Sequence, residues 1–198
     1  MQNDKYKLIA SSNEALIDKV IKYICATFKI SVEELQCNLK QYVKNTLKNI
    51  RYNNNKAIQL RLERKKVRED LDDLERAYCG GDNLDTNESG RNTGGRVNTV
   101  EIRQIQKIQL REKLSNLLTE SLLLEQSLKD NNELVKKLLK LIPQTQYAQV
   151  LEMTYFDCMS NTKIAIELSY SIEYVDQSRH RGIIELVKIL EQRKNGEI

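Results

Sequence analysis

Glu173, Asp176, Gln177, His180 and Arg181 recur at intervals of three and four, the spacing that gathers side chains on one face of a helix. Ser171 and Ile172 open the same stretch. These residue types suit recognition rather than bond making. The Gln177 amide can pair with the edge of adenine, the Glu173 carboxylate can accept from the exocyclic amine of cytosine, and His180 and Arg181 can reach phosphate. The competing reading is a solvated helix face.

Nothing else in the chain resembles a catalytic set. His180 is the only histidine, and no serine or cysteine nucleophile accompanies it in a recognisable pattern. No glycine-rich phosphate cradle occurs. Cys25, Cys37, Cys79 and Cys158 are scattered without a C-x-x-C pair, which argues against a zinc site and favours reduced thiols. The sequence therefore points away from an enzyme and implies no metal or other cofactor.

The elements that must hold this face can be read on either side of it. Tyr147, Val150, Leu151, Thr154 and Tyr155 give one helix with a single buried face. Asp157, Cys158 and Met159 break the pattern, and Ser160 stands as the N-cap of a short second helix. That helix buries Ile164, Ala165 and Leu168. Small Ala165 suits a close helix crossing. After the turn at Ser169 and Tyr170, Ser171 caps a third helix running to about Glu191. Tyr170 is positioned to staple onto Val175. Val175, Ser178, Gly182 or Ile183, Leu186 and Leu190 form the inner face, opposite the residues named first.

The run V-L-E-M-T-Y-F-D-C-M-S-N-T-K-I-A-I-E-L-S-Y-S-I-E-Y-V-D-Q-S-R-H-R-G-I-I-E-L, Val150 to Leu186, resembles the fourth region of bacterial sigma factors. With the segment before it, roughly from Tyr52 to Glu191, the chain resembles small sigma-like regulators encoded by phages and prophages of Gram-positive bacteria. In those, a charged helix, a glycine-rich polar insert and a second long helix precede the same helix-turn-helix, and Pro143 followed by Tyr147 fits that pattern. The resemblance implies a third helix that enters a major groove. Cys158 and Ser169 stand at turn positions where such modules often use Gly or Asp, which adopt a left-handed backbone more readily. Lys163 stands in the first turn of the second helix, where an acidic residue is usual.

Charge divides unevenly along the chain. Residues 1 to 78 carry net +5, residues 79 to 143 net +1, and residues 144 to 198 net −2, within a total of +4. Because phosphate neutralisation supplies most non-specific affinity for DNA, the acidic C-terminal segment alone should bind duplex weakly. Candidate phosphate contacts are Lys163 and, from the basic run 51–68, Arg61, Arg64, Lys65 and Arg68. The preferred reading of the same run is the solvated outer face of a coiled coil.

The middle of the chain has the pattern of a helical hairpin. Ile58, Leu62, Val67, Leu71, Leu74 and Tyr78 form one near-heptad series, and a longer one runs from Val100 to Ile142. Unbroken, the second helix would extend about 65 Å at 1.5 Å per residue; Asp130, Asn131 and Asn132 are the expected interruption. Five of the seven glycines fall between the two series, predicting a flexible loop over 79–97. The first helix covers only part of the second, so the surplus stripe around Leu114 to Leu128 predicts a homodimer through the long helices. An intramolecular bundle, with the N-terminal helices covering that surplus, is the alternative.

Upstream, Leu16, Ile17, Val20, Ile21 and Ile24 mark a helix ending near Phe28. Ser31 through Glu34 form a capping box that opens another, expected to reach about Asn49. The expectation is thus an all-α protein in three parts: an N-terminal helical pair (1–51), a coiled-coil-like hairpin (52–142) and a sigma-region-4-like helix-turn-helix (143–198). No apolar run approaches 18 residues and the N-terminus lacks signal-peptide features, so no membrane association and a cytoplasmic location in a bacterial host are expected.

The leading functional expectation is a sequence-specific transcriptional regulator of phage type. It would read double-stranded DNA through Ser171, Ile172, Glu173, Asp176, Gln177, His180 and Arg181, with host RNA polymerase as a further partner. Two alternatives share these elements: a small DNA-packaging subunit of a phage terminase, and an adaptor that binds only protein.

Overall fold

The computed structural model describes residues 2–79 and 99–192, with side chains over 12–76 and 102–191. Among the described residues all regular structure is helical, in seven helices: α1 (Gln2–Phe28), α2 (Val32–Cys37), α3 (Leu39–Cys79), α4 (Thr99–Leu139), α5 (Thr145–Tyr155), α6 (Asn161–Leu168) and α7 (Ile172–Gln192). None is long and apolar enough to cross a membrane. The loop expected over 79–97 lies outside the described residues, except that the backbone of Cys79 closes α3.

Two compact units partition the chain, residues 1–56 with 126–198 and residues 57–125. In the first, one continuous core joins parts of the sequence that are far apart. Ile17, Val20 and Ile24 of α1 meet Leu35 of α2, Leu39, Val43, Leu47 and Ile50 of α3, and Val135, Leu138 and Leu139 of α4. The same core takes in Leu151 and Tyr155 of α5 and Ile183, Leu186 and Leu190 of α7. The N-terminal helices thus bury their apolar stripe against the C-terminal helices. Each core-facing side chain removed from water stabilises this unit by about 1.5–3 kcal/mol before entropy is charged.

The helix expected from Ser31 to Asn49 is two helices. The capping box forms as its residues dictate: Glu34 N donates to Ser31 Oγ at 3.2 Å, and Ser31 N donates to Glu34 Oε2 at 3.1 Å. Asn38, with φ −134° and ψ 35°, then ends α2 after only six residues. Leu35 and Leu39, on either side of the break, are both buried in the core. Beyond it α3 runs 41 residues.

That length removes the argument for a dimer from unequal arms, because α4 also has 41 residues. In the unit 57–125, the two helices cover part of the expected surplus themselves. Leu117 is buried with Leu60 and Val67, and Leu110, Leu114 and Leu124 pack around them. Leu122 and Leu123 within that stretch stay exposed, as do Ile58, Leu62, Ile105 and Ile108. Ion pairs frame the seam: Arg61 with Glu125 at 2.9 Å, Lys113 with Glu63 at 2.9 Å and Lys107 with Glu75 at 2.8 Å.

Nor does Asp130-Asn131-Asn132 interrupt α4. Asn131 Nδ2 donates to the Ser127 carbonyl one turn back at 2.8 Å, and Asn132 Nδ2 donates to Asn54 Oδ1 at 2.9 Å. Both amide nitrogens are bonded in ways compatible with a helix, and Leu128 and Val135 on either side are buried. Packing overrides a weak local preference here.

Candidate nucleic-acid interface

Helices α5, α6 and α7 pack on one another around a small core of Val150, Met153, Ile164, Ala165 and Val175. The caps that the sequence promises are formed. Lys163 N donates to Ser160 Oγ at 3.3 Å, and Tyr174 N donates to Ser171 Oγ at 3.1 Å. Ser169 closes α6 in the left-handed region, φ 56° and ψ 40°, with Tyr170 N donating to the Ala165 carbonyl at 2.9 Å. Cys158 is also left-handed, at φ 58°. Two non-glycine residues thus hold turns that a glycine would adopt without steric cost. The Tyr170 ring, expected on Val175, meets Tyr174 edge-on at 4.7 Å between centroids.

The contact between α5 and α7 is close because Gly182 sits at it. A Cβ built there would come within 2.8 Å of Leu151 Cδ1 and 3.3 Å of Tyr147 Cβ. Gly182 and Ile183 are both buried, so the inner face of α7 is wider than a single stripe. This packing fixes which residues α7 turns outward.

Glu173, Gln177 and His180 are exposed, as are Ser171, Ile172, Asp176 and Arg181. They do not form one uniform surface. Asp176, Gln177, His180 and Arg181 line a groove of about 770 Å³, whereas Ser171, Ile172 and Glu173 are not among its lining residues. Asp176 is engaged by its neighbours: Arg179 pairs with its Oδ1, and Asn161 Nδ2 donates to the same oxygen at 3.5 Å. Its charge is largely offset within the protein. Arg181 Nη1 donates to the Tyr147 hydroxyl at 3.4 Å, a contact that holds its guanidinium firmly charged.

The other wall of the groove comes from α3. Lys44, Lys48, Arg51, Tyr52 and Asn55 line it, with Tyr155 of α5 between the walls. Arg51 is tied in place, its Nη2 donating to the Met159 carbonyl at 3.4 Å, while Cys158 Sγ donates to the Arg51 carbonyl at 3.5 Å. Burial pushes the Tyr155 phenol and the Cys158 thiol up from their ordinary values, against the pull of nearby Arg51 in both cases. Neither group is primed to ionise. The lining contains five cationic side chains and one carboxylate, so a groove built largely from a net acidic C-terminal segment is itself basic. Such a surface attracts an anionic backbone and offers amide and imidazole groups beside it.

The remaining candidates for phosphate contact lie elsewhere. Lys163 is exposed on α6 outside the groove lining. Arg61, Arg64, Lys65 and Arg68 belong to the unit 57–125, where they line a separate depression of about 370 Å³ with Glu125. Arg61 is paired with Glu125, Arg64 donates to Ser121 Oγ at 3.0 Å, and Lys65 lies 3.7 Å from Glu69.

Sequence reasoning passed over Lys44, Lys48, Tyr52 and Asn55, although a signal was there. Lys44, Lys48 and Arg51 stand at i, i+4 and i+7, and no acidic residue occurs between Glu34 and Glu63. Among the described residues no group of three or more His, Cys, Asp or Glu is arranged to hold a metal ion. No family model, curated protein or solved structure matches this chain, so the geometry of the groove and its charge carry the functional argument.

Proposed function

We propose that this protein is a sequence-specific DNA-binding transcriptional regulator of phage or prophage type, which reads duplex DNA through the exposed face of α7. The observation that carries the reading is the groove itself: Gln177, His180 and Arg181, on the first half of a capped helix, share it with a surplus of cations. Gln177 is suited to an adenine edge, and the exposed Ile172 and Glu173 extend the reading face toward the helix start. The helix is held by a glycine-mediated contact and a buried inner face, and a reading face of this kind must be rigid to discriminate bases. The function requires no catalysis.

Selection from fragmented genomic DNA with the purified full chain, at near-physiological salt, tests it. An enriched motif that disappears with Gln177→Ala and Arg181→Ala supports the assignment of α7. Enrichment unchanged by those substitutions rejects α7 as the reader. No enrichment by the unaltered protein rejects the function and turns the search to protein partners.

A further inference from the structure

We propose that the α3 wall of the groove is a phosphate clamp, in which Lys44, Lys48 and Arg51 grip the backbone of one DNA strand while α7 faces the bases. The inference rests on the DNA-reading function proposed above and assigns its affinity to three cations more than 120 residues before α7 in sequence.

The positions are set by the core. Val43, Leu47 and Ile50 are buried in the same apolar cluster as Ile183 and Leu186 of α7, which turns Lys44, Lys48 and Arg51 outward into the groove. Along a helix these three cations span about 10 Å, the axial rise of about three phosphate steps on one strand. Lys44 and Lys48 are exposed, and neither has an ion-pair partner among the described residues. Their charge is available to a ligand. Tyr52, 70% exposed, and Asn55 continue the lining by another turn, adding a hydroxyl and an amide of the kind that contact sugar and phosphate oxygens.

Charge bookkeeping requires such a contribution. Residues 144–198 carry net −2, and one of the groove's arginines, Arg179, is committed to Asp176. The cations that can pair with phosphate must come mainly from α3. A regular row of cations facing an amide and an imidazole on α7 matches a duplex, whose phosphates repeat beside base edges, better than it matches an acidic protein segment.

The test compares the full chain with Lys44→Gln/Lys48→Gln, which keeps exposed helical positions filled by a good helix former, and with Gln177→Ala. Binding to a short mixed-sequence duplex pool is measured against salt concentration, and each protein is also taken through motif selection. With the clamp in place, the double variant lowers the slope of log affinity against log salt by about 2, while Gln177→Ala leaves the slope unchanged and loses the motif. A wild-type motif with an unchanged slope in the double variant overturns the clamp and leaves the reading function standing. A reduced slope without any wild-type motif keeps the clamp as a non-specific grip and removes sequence reading. Absence of salt-sensitive duplex binding by the unaltered chain overturns both and favours an acidic protein segment as the occupant.

Discussion

The two units contain comparable densities of lysine and arginine but use them differently. In the hairpin unit, 57–125, Arg61, Lys65, Lys107, Arg111 and Lys113 all lie beside carboxylates. In the other unit, Lys44 and Lys48 face a groove with no ion-pair partner among the described residues. The richest basic run in the sequence is thus partly spent on holding two helices together, and a sparser one is free to meet a ligand. Density of charge along a chain is a poor guide to its availability, because availability depends on which carboxylates folding brings alongside.

The cores differ in the same sense, and the largest expected effect tests that difference. Leu151 is fully buried in a core joining six helices, whereas Leu117 sits in a seam with two other buried residues. Leu151→Ala should cost about 4 kcal/mol and Leu117→Ala about 2 kcal/mol, the upper and lower parts of the usual large-to-small range. Chemical denaturation of the two variants checks this, and equal losses would remove the distinction between the cores.

Next in size is charge reversal at the two basic surfaces. Lys44→Glu/Lys48→Glu should weaken duplex binding on the order of 100-fold, at about 1.5 kcal/mol for each charged hydrogen bond lost. Arg61→Glu/Lys65→Glu should change binding much less and lower the stability of the hairpin instead. Fluorescence anisotropy with a labelled duplex, read beside thermal melts, separates the two. The reverse pattern would transfer the phosphate contacts to the hairpin.

A smaller and opposite effect is expected at the turn between α6 and α7. Ser169 holds φ 56°, a conformation that costs a residue with a Cβ about 1 kcal/mol. Ser169→Gly should therefore stabilise the first unit by up to that amount, seen as a higher denaturant midpoint with an unchanged slope. A loss of stability would mean that the serine side chain contributes more than its backbone strain costs.

The smallest effect concerns acid. Hydrogen bonds from Lys107 and Arg61 hold the Glu75 and Glu125 carboxyls below their ordinary value of 4.5. Carboxyls depressed by folding stabilise the hairpin above that value, and the contribution is lost as pH falls through their folded values. The difference in melting between the wild type and Glu75→Gln/Glu125→Gln should be present at neutral pH and close in acid. A gap that persists in acid would assign the effect to packing.

Much of the C-terminal arrangement was legible because its signals are local. Ser160 and Ser171 cap the helices that follow them, and Val175, Ser178, Leu186 and Leu190 are buried at helical spacing. Local signals misled where a distant partner decides the outcome. The amides of Asn131 and Asn132 look like a helix stop until Ser127 and Asn54 accept from them. Leu114, Leu117 and Leu124 look unpartnered until Leu60 and Val67 of α3 prove to pack with them.

The sequence by itself determined the helical class, the caps and turns of the last three helices, and which face of α7 is polar. These depend on hydrophobic period and on hydrogen bonds spanning a few residues. Only the tertiary structure decided which lysines stand beside that face. Val43, Leu47 and Ile50 could bury themselves against any apolar surface of suitable shape; their packing in one core with Ile183 and Leu186 brings Lys44 and Lys48 to α7. The hydrophobic effect is non-directional, so the partners follow from how all the stripes fit together.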